Sequence, residues 1–479
     1  VRQDTAVARL PSRANRRAIL TLVLPLCLAV AADDPSLLFG QEVRRAAPLG
    51  EDEVAQRRAD FEAMLAERDW VQLGDQVGPA SPDGGFVQPT EPVAAWETPP
   101  HRATIFLNFF GSDSLSPGTN SALDESSCLS GAMPWPGFSG NEQQALALIQ
   151  VFETQMAPYG VRIAYDERPP SHLPYAMVMM GGTPDLLGLG GSVLGVSCSS
   201  DCGDFWWRDT TFAFTDNINP NNAEVLGTTA LHEAAHAFGL AHIDDSTKIM
   251  NPFVGSGDVT WGDMCTPYND ATGGINCMPT HDEFCGGGAQ NSHAELLAYF
   301  GENSPDIEPP VVEILAPADG AEFEVGSSVT VEAEVSDDHE GVGWKLVIPE
   351  VGQEAVAFAF EKSWPLGNLP AGVYTLRVEA IDHERNESAD EVTIYVGMDA
   401  PEPSDTSGDG SSGGDGTGAA SGSASASDGP DESSGGSSGD SAGQQDDLEG
   451  CACRGGAPAD VPSGAAIVLL GLAVRRRRR

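Results

Sequence analysis

The most constraining stretch of this chain is Thr229-Ala-Leu-His232-Glu233-Ala-Ala-His236-Ala-Phe-Gly239-Leu-Ala-His242. A spacing of four puts His232 and His236 on one face of a helix, where their imidazoles can share an ion. Glu233 stands beside the first of them and can reach a metal-bound water without being a ligand. Gly239 accepts a positive φ, the backbone state in which helices often end. A turn there can bring His242 back as a third ligand. Three neutral imidazoles with one open position suit a single catalytic Zn²⁺ that binds and acidifies water. The bland alternative is a helix whose histidines only cap or pack. It would crowd three imidazoles at one helix end without a shared partner. A metal-free descendant of such a site is the other alternative, but the glutamate and all three histidines are present.

The string His232-Glu-Ala-Ala-His236-Ala-Phe-Gly239-Leu-Ala-His242 resembles the long zinc signature H-E-x-x-H-x-x-G-x-x-H of the metzincin metalloproteases. Lys248-Ile249-Met250-Asn251-Pro252 looks like the Met-turn of that family. The resemblance implies an α+β catalytic domain, a mixed five-stranded sheet with an active-site helix and a second long helix. It implies that Met250 forms an apolar floor beneath the imidazoles. It also implies that Gly191 to Val196 is the sheet edge that pairs with an extended polypeptide substrate. Glu233 would act as general base toward the water and then pass the proton to the leaving amine. There are departures. Residue 243 is Ile, where several subfamilies carry Ser, Asp or Glu, so the subfamily stays open. Pro252 stands where some relatives place a tyrosine ligand. Met264 and Met278 are alternative Met-turn residues without the Met-x-Pro context.

Around this motif, residues 101–303 read as the zinc metalloprotease domain. Strands are expected at Ala103–Phe110, Val161–Tyr165, Tyr175–Met180 and Thr211–Thr215. Helices are expected at Asn141–Ala157 and from Asn222 to Phe238, the latter capped by the Asn222 amide. Before it, residues 33–100 read as a pro-segment or linker, with a charged helical patch at Glu51–Trp70 and then a Pro/Gly-rich stretch. No Cys lies between Asp33 and Ser127, so a propeptide that silences a metal through a thiolate is excluded. After it, residues 308–397 carry short apolar runs separated by Gly, Pro and Asp turns, the pattern of an all-β sandwich. Leu369-Pro-Ala-Gly-Val-Tyr374 resembles the tyrosine corner of immunoglobulin-like folds. This sandwich has no inter-sheet disulfide, and both a spacer and a substrate-surface binder fit it.

Cys128, Cys198, Cys202, Cys265, Cys277 and Cys285 all fall within 101–303. An even set in an exported domain predicts three disulfides among fifteen connectivities. A structural zinc site would require paired C-x-x-C units, which these spacings lack. Asp201, Asp204, Asp209 and Asp216 make Ca²⁺ a second candidate ion, against the plainer reading of a solvated acidic face.

The chain's ends read as addresses. Residues 1–32 combine Arg13, Arg16 and Arg17 with an apolar run and the small-x-small pattern Ala29-Val30-Ala31, as in a signal peptide. An uncleaved anchor is the alternative. Residues 398–449 form a Ser/Gly/Asp-rich tether of low complexity, with a reach of roughly 40 Å. Residues 450–479 place Cys451 and Cys453 before an apolar run, Val461 to Val474, and five arginines. That order resembles the C-terminal sorting tail of myxobacterial surface proteins. A short membrane tail is the alternative.

The whole chain carries 71 acidic and 25 basic side chains, a formal net charge of −46. Such a surface repels polyanions, which excludes nucleic-acid binding through phosphates. Membrane contact is expected only transiently, through the two terminal signals, and the oligomeric state stays open. The sequence therefore points to an exported, surface-anchored or extracellular zinc endopeptidase acting on polypeptides. A non-catalytic surface adhesin and a zinc hydrolase of cell-wall peptides are the rivals.

Overall fold

The computed structural model describes residues 37–45, 47–89, 100–190, 193–198, 202, 208–219, 221–253, 259–269, 274–357 and 362–401. The expected signal peptide, tether and sorting tail lie outside these residues, as do Asp201 and Asp204. The chain divides into two compact units. The first comprises Val1–Glu313, Ala333–Lys362 and Arg377–Asp390. The second comprises Ile314–Glu332, Ser363–Leu376 and Glu391–Arg479.

The first unit is built on a five-stranded mixed sheet. From one edge to the other its strands are Gly195–Val196, Thr210–Ala213, Ala176–Met180, Ala103–Asn108 and Val161–Ala164. All neighbours run parallel except the edge strand, which is antiparallel to Thr210–Ala213 with Gly195 opposite Ala213. Strand Ala103–Asn108 is buried along its whole length, as a central parallel strand covered on both faces must be.

Helix Glu142–Met156 opens with a reciprocal capping box between Asn141 and Gln144. It buries Ala145, Leu148, Ile149, Phe152 and Met156, the stripe that a 3.6-residue period dictates. Helix Ala223–Ala237 starts at Asn222, whose side chain accepts from the Val225 N–H. The two helices pack at Gly227, where a Cβ would stand 2.7 Å from Val151 Cβ. From Leu226 onward every residue of the second helix is buried, so its polar groups must find partners inside the protein.

Within the stretch read as a pro-segment or linker, residues 70–79 form regular structure. After helix Glu51–Arg68 comes an antiparallel hairpin, Trp70–Leu73 with Gln76–Pro79. Its two-residue loop has Gly74 at φ +67°, as a type II′ hairpin turn requires. Phe61, Met64 and Val77 join the core cluster that holds Phe106, Met177, Met179, Val196 and Phe212. Leu38 and Val43 join the other cluster, with Phe109, Phe138 and Met180. Turn-forming glycines gave this stretch its loop-like composition, whereas burial of its few apolar residues decides its structure.

Three disulfides form, Cys128–Cys198, Cys202–Cys277 and Cys265–Cys285. The β-rich C-terminal residues carry the expected strands. In the first unit, Gly343–Ile348 pairs antiparallel with Gln353–Ala357 and with residues 377–381. In the second, residues 329–332 pair antiparallel with Ser363–Leu366, and Ala321–Phe323 runs parallel to residues 394–396. The Tyr374 hydroxyl donates to the Pro370 carbonyl at 2.9 Å, the hydrogen bond of a tyrosine corner.

Candidate metal centre

His232 and His236 project from the last turns of helix Ala223–Ala237. The helix ends at Phe238, and Gly239 takes φ +100°. A Cβ at Gly239 would lie 2.9 Å from both Cys202 Cα and Cys277 Sγ, so the disulfide packs directly on this turn. The reversed chain delivers His242. The three Nε2 atoms then stand 2.9 Å (His232–His236), 3.1 Å (His232–His242) and 3.1 Å (His236–His242) apart.

The opposite ring nitrogens fix what faces inward. His232 Nδ1 donates to the Ile249 carbonyl at 2.7 Å, and His236 Nδ1 donates to the Leu240 carbonyl at 2.7 Å. A neutral imidazole that spends its proton on Nδ1 presents a lone pair at Nε2. Burial, followed by the neighbouring imidazoles, pushes the His236 pKa well below its ordinary value, so this ring stays neutral. Two lone pairs 2.9 Å apart repel unless a cation lies between them. A Zn²⁺ at about 2.0–2.1 Å from each nitrogen satisfies that demand. The donor set therefore fits the metal that the motif implies.

Glu233 is 1% exposed. It packs on the edge strand at Gly195, where a Cβ would stand 2.4 Å from Glu233 Cγ and Oε1. Burial and then the Asp75 charge raise its pKa well above the usual carboxylate range. Met250 is fully buried in the cluster that includes Ala235, Leu240 and Ile243. Its carbonyl accepts from the Ile243 N–H at 2.9 Å. Met264 is 71% exposed and Met278 37%, so neither floors the site. Gln290, fully buried, straps the segment before His242. Its Oε1 accepts from the Ala241 N–H at 2.6 Å, and its Nε2 donates to the Ala241 carbonyl at 3.1 Å.

A fourth group stands in the centre that sequence reasoning missed. Asp75, in the loop of the N-terminal hairpin, places Oδ1 at 3.2 Å from His242 Nε2 and 3.8 Å from His236 Nε2. Its Oδ2 lies 3.6 Å from His232 Nε2. The four ligand atoms lie within 4.8 Å of one another. Burial would raise the Asp75 pKa, but contacts to His232, His242 and His236 outweigh it and hold the carboxyl well below its usual range.

The hairpin that carries Asp75 pairs with the sheet edge. The Ser197 N–H donates to the Asp75 carbonyl at 2.9 Å, and the Val77 N–H donates to the Ser197 carbonyl at 2.9 Å. Asn276 donates to Gln76 at 2.8 Å from the far side. Gly74-Asp75 between two strand-like runs was the available signal for this hairpin.

Of the acidic set expected for calcium, only Asp209 and Asp216 fall among the described residues. Asp209 is buried at the start of strand Thr210–Ala213, Asp216 is exposed in a short 3₁₀ turn, and neither joins a metal-type cluster.

A profile for bacterial Ig domains matches residues 310–378. No curated protein sequence matches the chain. Among solved structures, fibronectin(III)-like modules of Clostridium thermocellum CbhA are similar at 18% identity and a TM-score of 0.16, over 19% of this chain and 47% of theirs. The PKD1 domain of Vibrio anguillarum Epp is similar at 18% identity and 0.15, over 20% of this chain and all of its own. A Bacteroides ovatus glucan-utilisation protein, SGBP-B, is similar at 22% identity and 0.16, over 21% of this chain and 27% of its own. The chain thus spans about half the length of the first of these and a quarter of the third. Residues 310–378 are Ig-like.

Proposed function

We propose that the chain is an exported zinc endopeptidase of metzincin type, here in a latent state. The observation that carries the reading is the triangle of Nε2 atoms, with two of the opposite nitrogens bonded to carbonyls, beside buried Glu233. A zinc ion held by His232, His236 and His242 would supply Lewis acidity and a water acidified toward a pKa of about 7. Glu233, buried beside the first ligand on the same helix, would accept the proton and pass it on to a leaving amine. The Ile249 and Leu240 carbonyls hold the His232 and His236 rings in place. The antiparallel edge strand Gly195–Val196 would align an extended polypeptide beside Glu233.

Latency follows from Asp75. Its carboxylate points at the position that substrate and water need, and its own backbone pairs with the sheet edge at Ser197. A closed four-ligand set is the character of a structural zinc site, and an open position that of a catalytic one. Asp75→Ala should therefore open the site without unfolding it.

The test combines metal analysis with casein hydrolysis. Wild-type chain with residues 37–89 in place should hold one zinc and cleave slowly. Asp75→Ala should still hold zinc, lose it sooner to a chelator, and cleave faster, with chelation abolishing the gain. A zinc-loaded Asp75→Ala chain that cleaves neither casein nor cell-wall peptides would sink the hydrolytic reading and favour an adhesin on a protease-like scaffold. Cleavage of wall peptides alone would shift the substrate class. An unchanged rate in an active enzyme would refute latency through Asp75.

A further inference from the structure

A second cluster lies away from the zinc centre, within the first unit, where residues 301–310 meet the turn at 337–339. Asp306 is 7% exposed, and its side chain only 1%. Both of its carboxylate oxygens are buried without a hydrogen-bond partner, as is Asp337 Oδ1. One ligand atom each from Asp306, Asp337, Asp338 and His339 falls within a 4.8 Å group. A buried carboxylate with two unanswered oxygens is costly unless a cation pairs with it.

The protein's own cations, His339 and Arg102, answer that charge only in part. Arg102 donates to the Ser304 carbonyl at 2.5 Å and the Ser304 hydroxyl at 2.8 Å, and its other arm lies 3.7 Å from Glu384. His339 Nδ1 stands 3.4 Å from Asp306 Oδ2 and 3.3 Å from Asp338 Oδ1. As an imidazolium it would set one positive charge against three carboxylates. Asp382 adds a further negative charge, although its oxygens accept from the Asn386 N–H (2.8 Å) and side-chain amide (2.7 Å). Burial, then mutual repulsion, raises the Asp306 pKa. Burial pushes Asp337 up to about 6, with its neighbours' charges adding. The crowding relaxes if a divalent ion enters.

We propose that Asp306, Asp337 and Asp338 bind a calcium ion. The donors are carboxylate oxygens from two loops of unequal exposure, and the Asp338 side chain is 57% exposed. Calcium accepts six to eight oxygens in irregular geometry and completes its shell with carbonyls and water. Zinc prefers nitrogen and sulfur, and magnesium demands a near-octahedral set. The ion would tie the loop carrying Asp306 to the turn carrying Asp337. Asn386 already donates to the Asp306 carbonyl there, at 3.3 Å.

The experiment uses the full chain, stripped of metals, reloaded with one zinc and titrated with calcium. Equilibrium dialysis with radioactive calcium gives stoichiometry, and thermal unfolding gives linkage. Wild type should bind one more calcium than Asp306→Asn or Asp337→Asn. Its Tm should rise by on the order of 2–4 °C at calcium tenfold above Kd, while the variants stay flat. If either buried-site variant fails to fold by near-UV circular dichroism, rim variant Asp338→Asn should weaken binding in a folded chain. Equal calcium in wild type and folded variants would overturn the proposal. So would a Tm that ignores calcium at millimolar concentration, or one that answers only to manganese or zinc.

Discussion

At the residue scale, the decisive property of the candidate metal centre is which nitrogen carries each proton. Ile249 and Leu240 offer backbone carbonyls to His232 and His236, so both rings face inward as acceptors. Neither role was visible in the sequence, because a carbonyl has no residue signature. The ligands themselves were legible, since a spacing of four and a glycine turn are local features. Asp75 was not, since its approach to His242 depends on how a distant hairpin docks. Glu233 should be separable from the ligands. Glu233→Gln leaves the triangle intact, so it should retain one zinc while peptide hydrolysis by the opened Asp75→Ala chain falls ~10²–10⁴-fold. Zinc content and turnover measured on the same preparation check this, and comparable turnover would remove Glu233 from the base role.

At the element scale, helix Ala223–Ala237 depends on its last turn. Gly239 combines a positive φ with a disulfide packed where a side chain would go. Gly239→Ala should cost about 1–3 kcal/mol from backbone strain alone and should also weaken zinc retention, because His242 follows that turn. Gly84 has φ +91° but open space around it. Gly84→Ala should therefore lower the Tm less and leave zinc retention unchanged, and equal effects would deny the turn its special role. Helices 142–156 and 223–237 were readable from capping residues and apolar period. The hairpin at 70–79 was not, because its glycines and prolines read as linker while Val77 and Gln76 are buried. Strand ends also moved by a few residues, as at Ala103–Asn108, since a fully apolar run carries no mark of where pairing stops.

At the scale of the whole molecule, the composition announced an acidic chain with a cysteine-linked domain, and three disulfides hold residues 128–285 together. It did not announce that residues 333–362 and 377–390 pack as part of the first unit. One consequence is an acid-sensitive seam. His383 is 2% exposed, and its Nδ1 lies 2.8 Å from the Thr104 hydroxyl of the central sheet strand. Burial, with Arg162, His101 and Arg102 adding, lowers its pKa to about 3. An unfolded imidazole takes up its proton near 6.5. Between those values the unfolded state binds more protons, so the stability owed to neutral His383 is present above pH 6.5. It drains away as pH falls toward 3, by at most ~1.4 kcal/mol per unit. Denaturant midpoints measured from pH 7 to 4 should fall less steeply for His383→Gln than for wild type. Parallel curves would exclude this group.

Residues 37–89 are woven into both apolar clusters, through Leu38 and Val43 on one side and Phe61, Met64 and Val77 on the other. On the proposed latency, a single nick in this stretch would cut the backbone and still leave the Asp75 hairpin seated. The severed piece would then behave as a bound inhibitor, whose departure must uncover oily surface to water. Activation would be set by the rate of that dissociation, or by further digestion of the fragment, and would trail the cleavage itself.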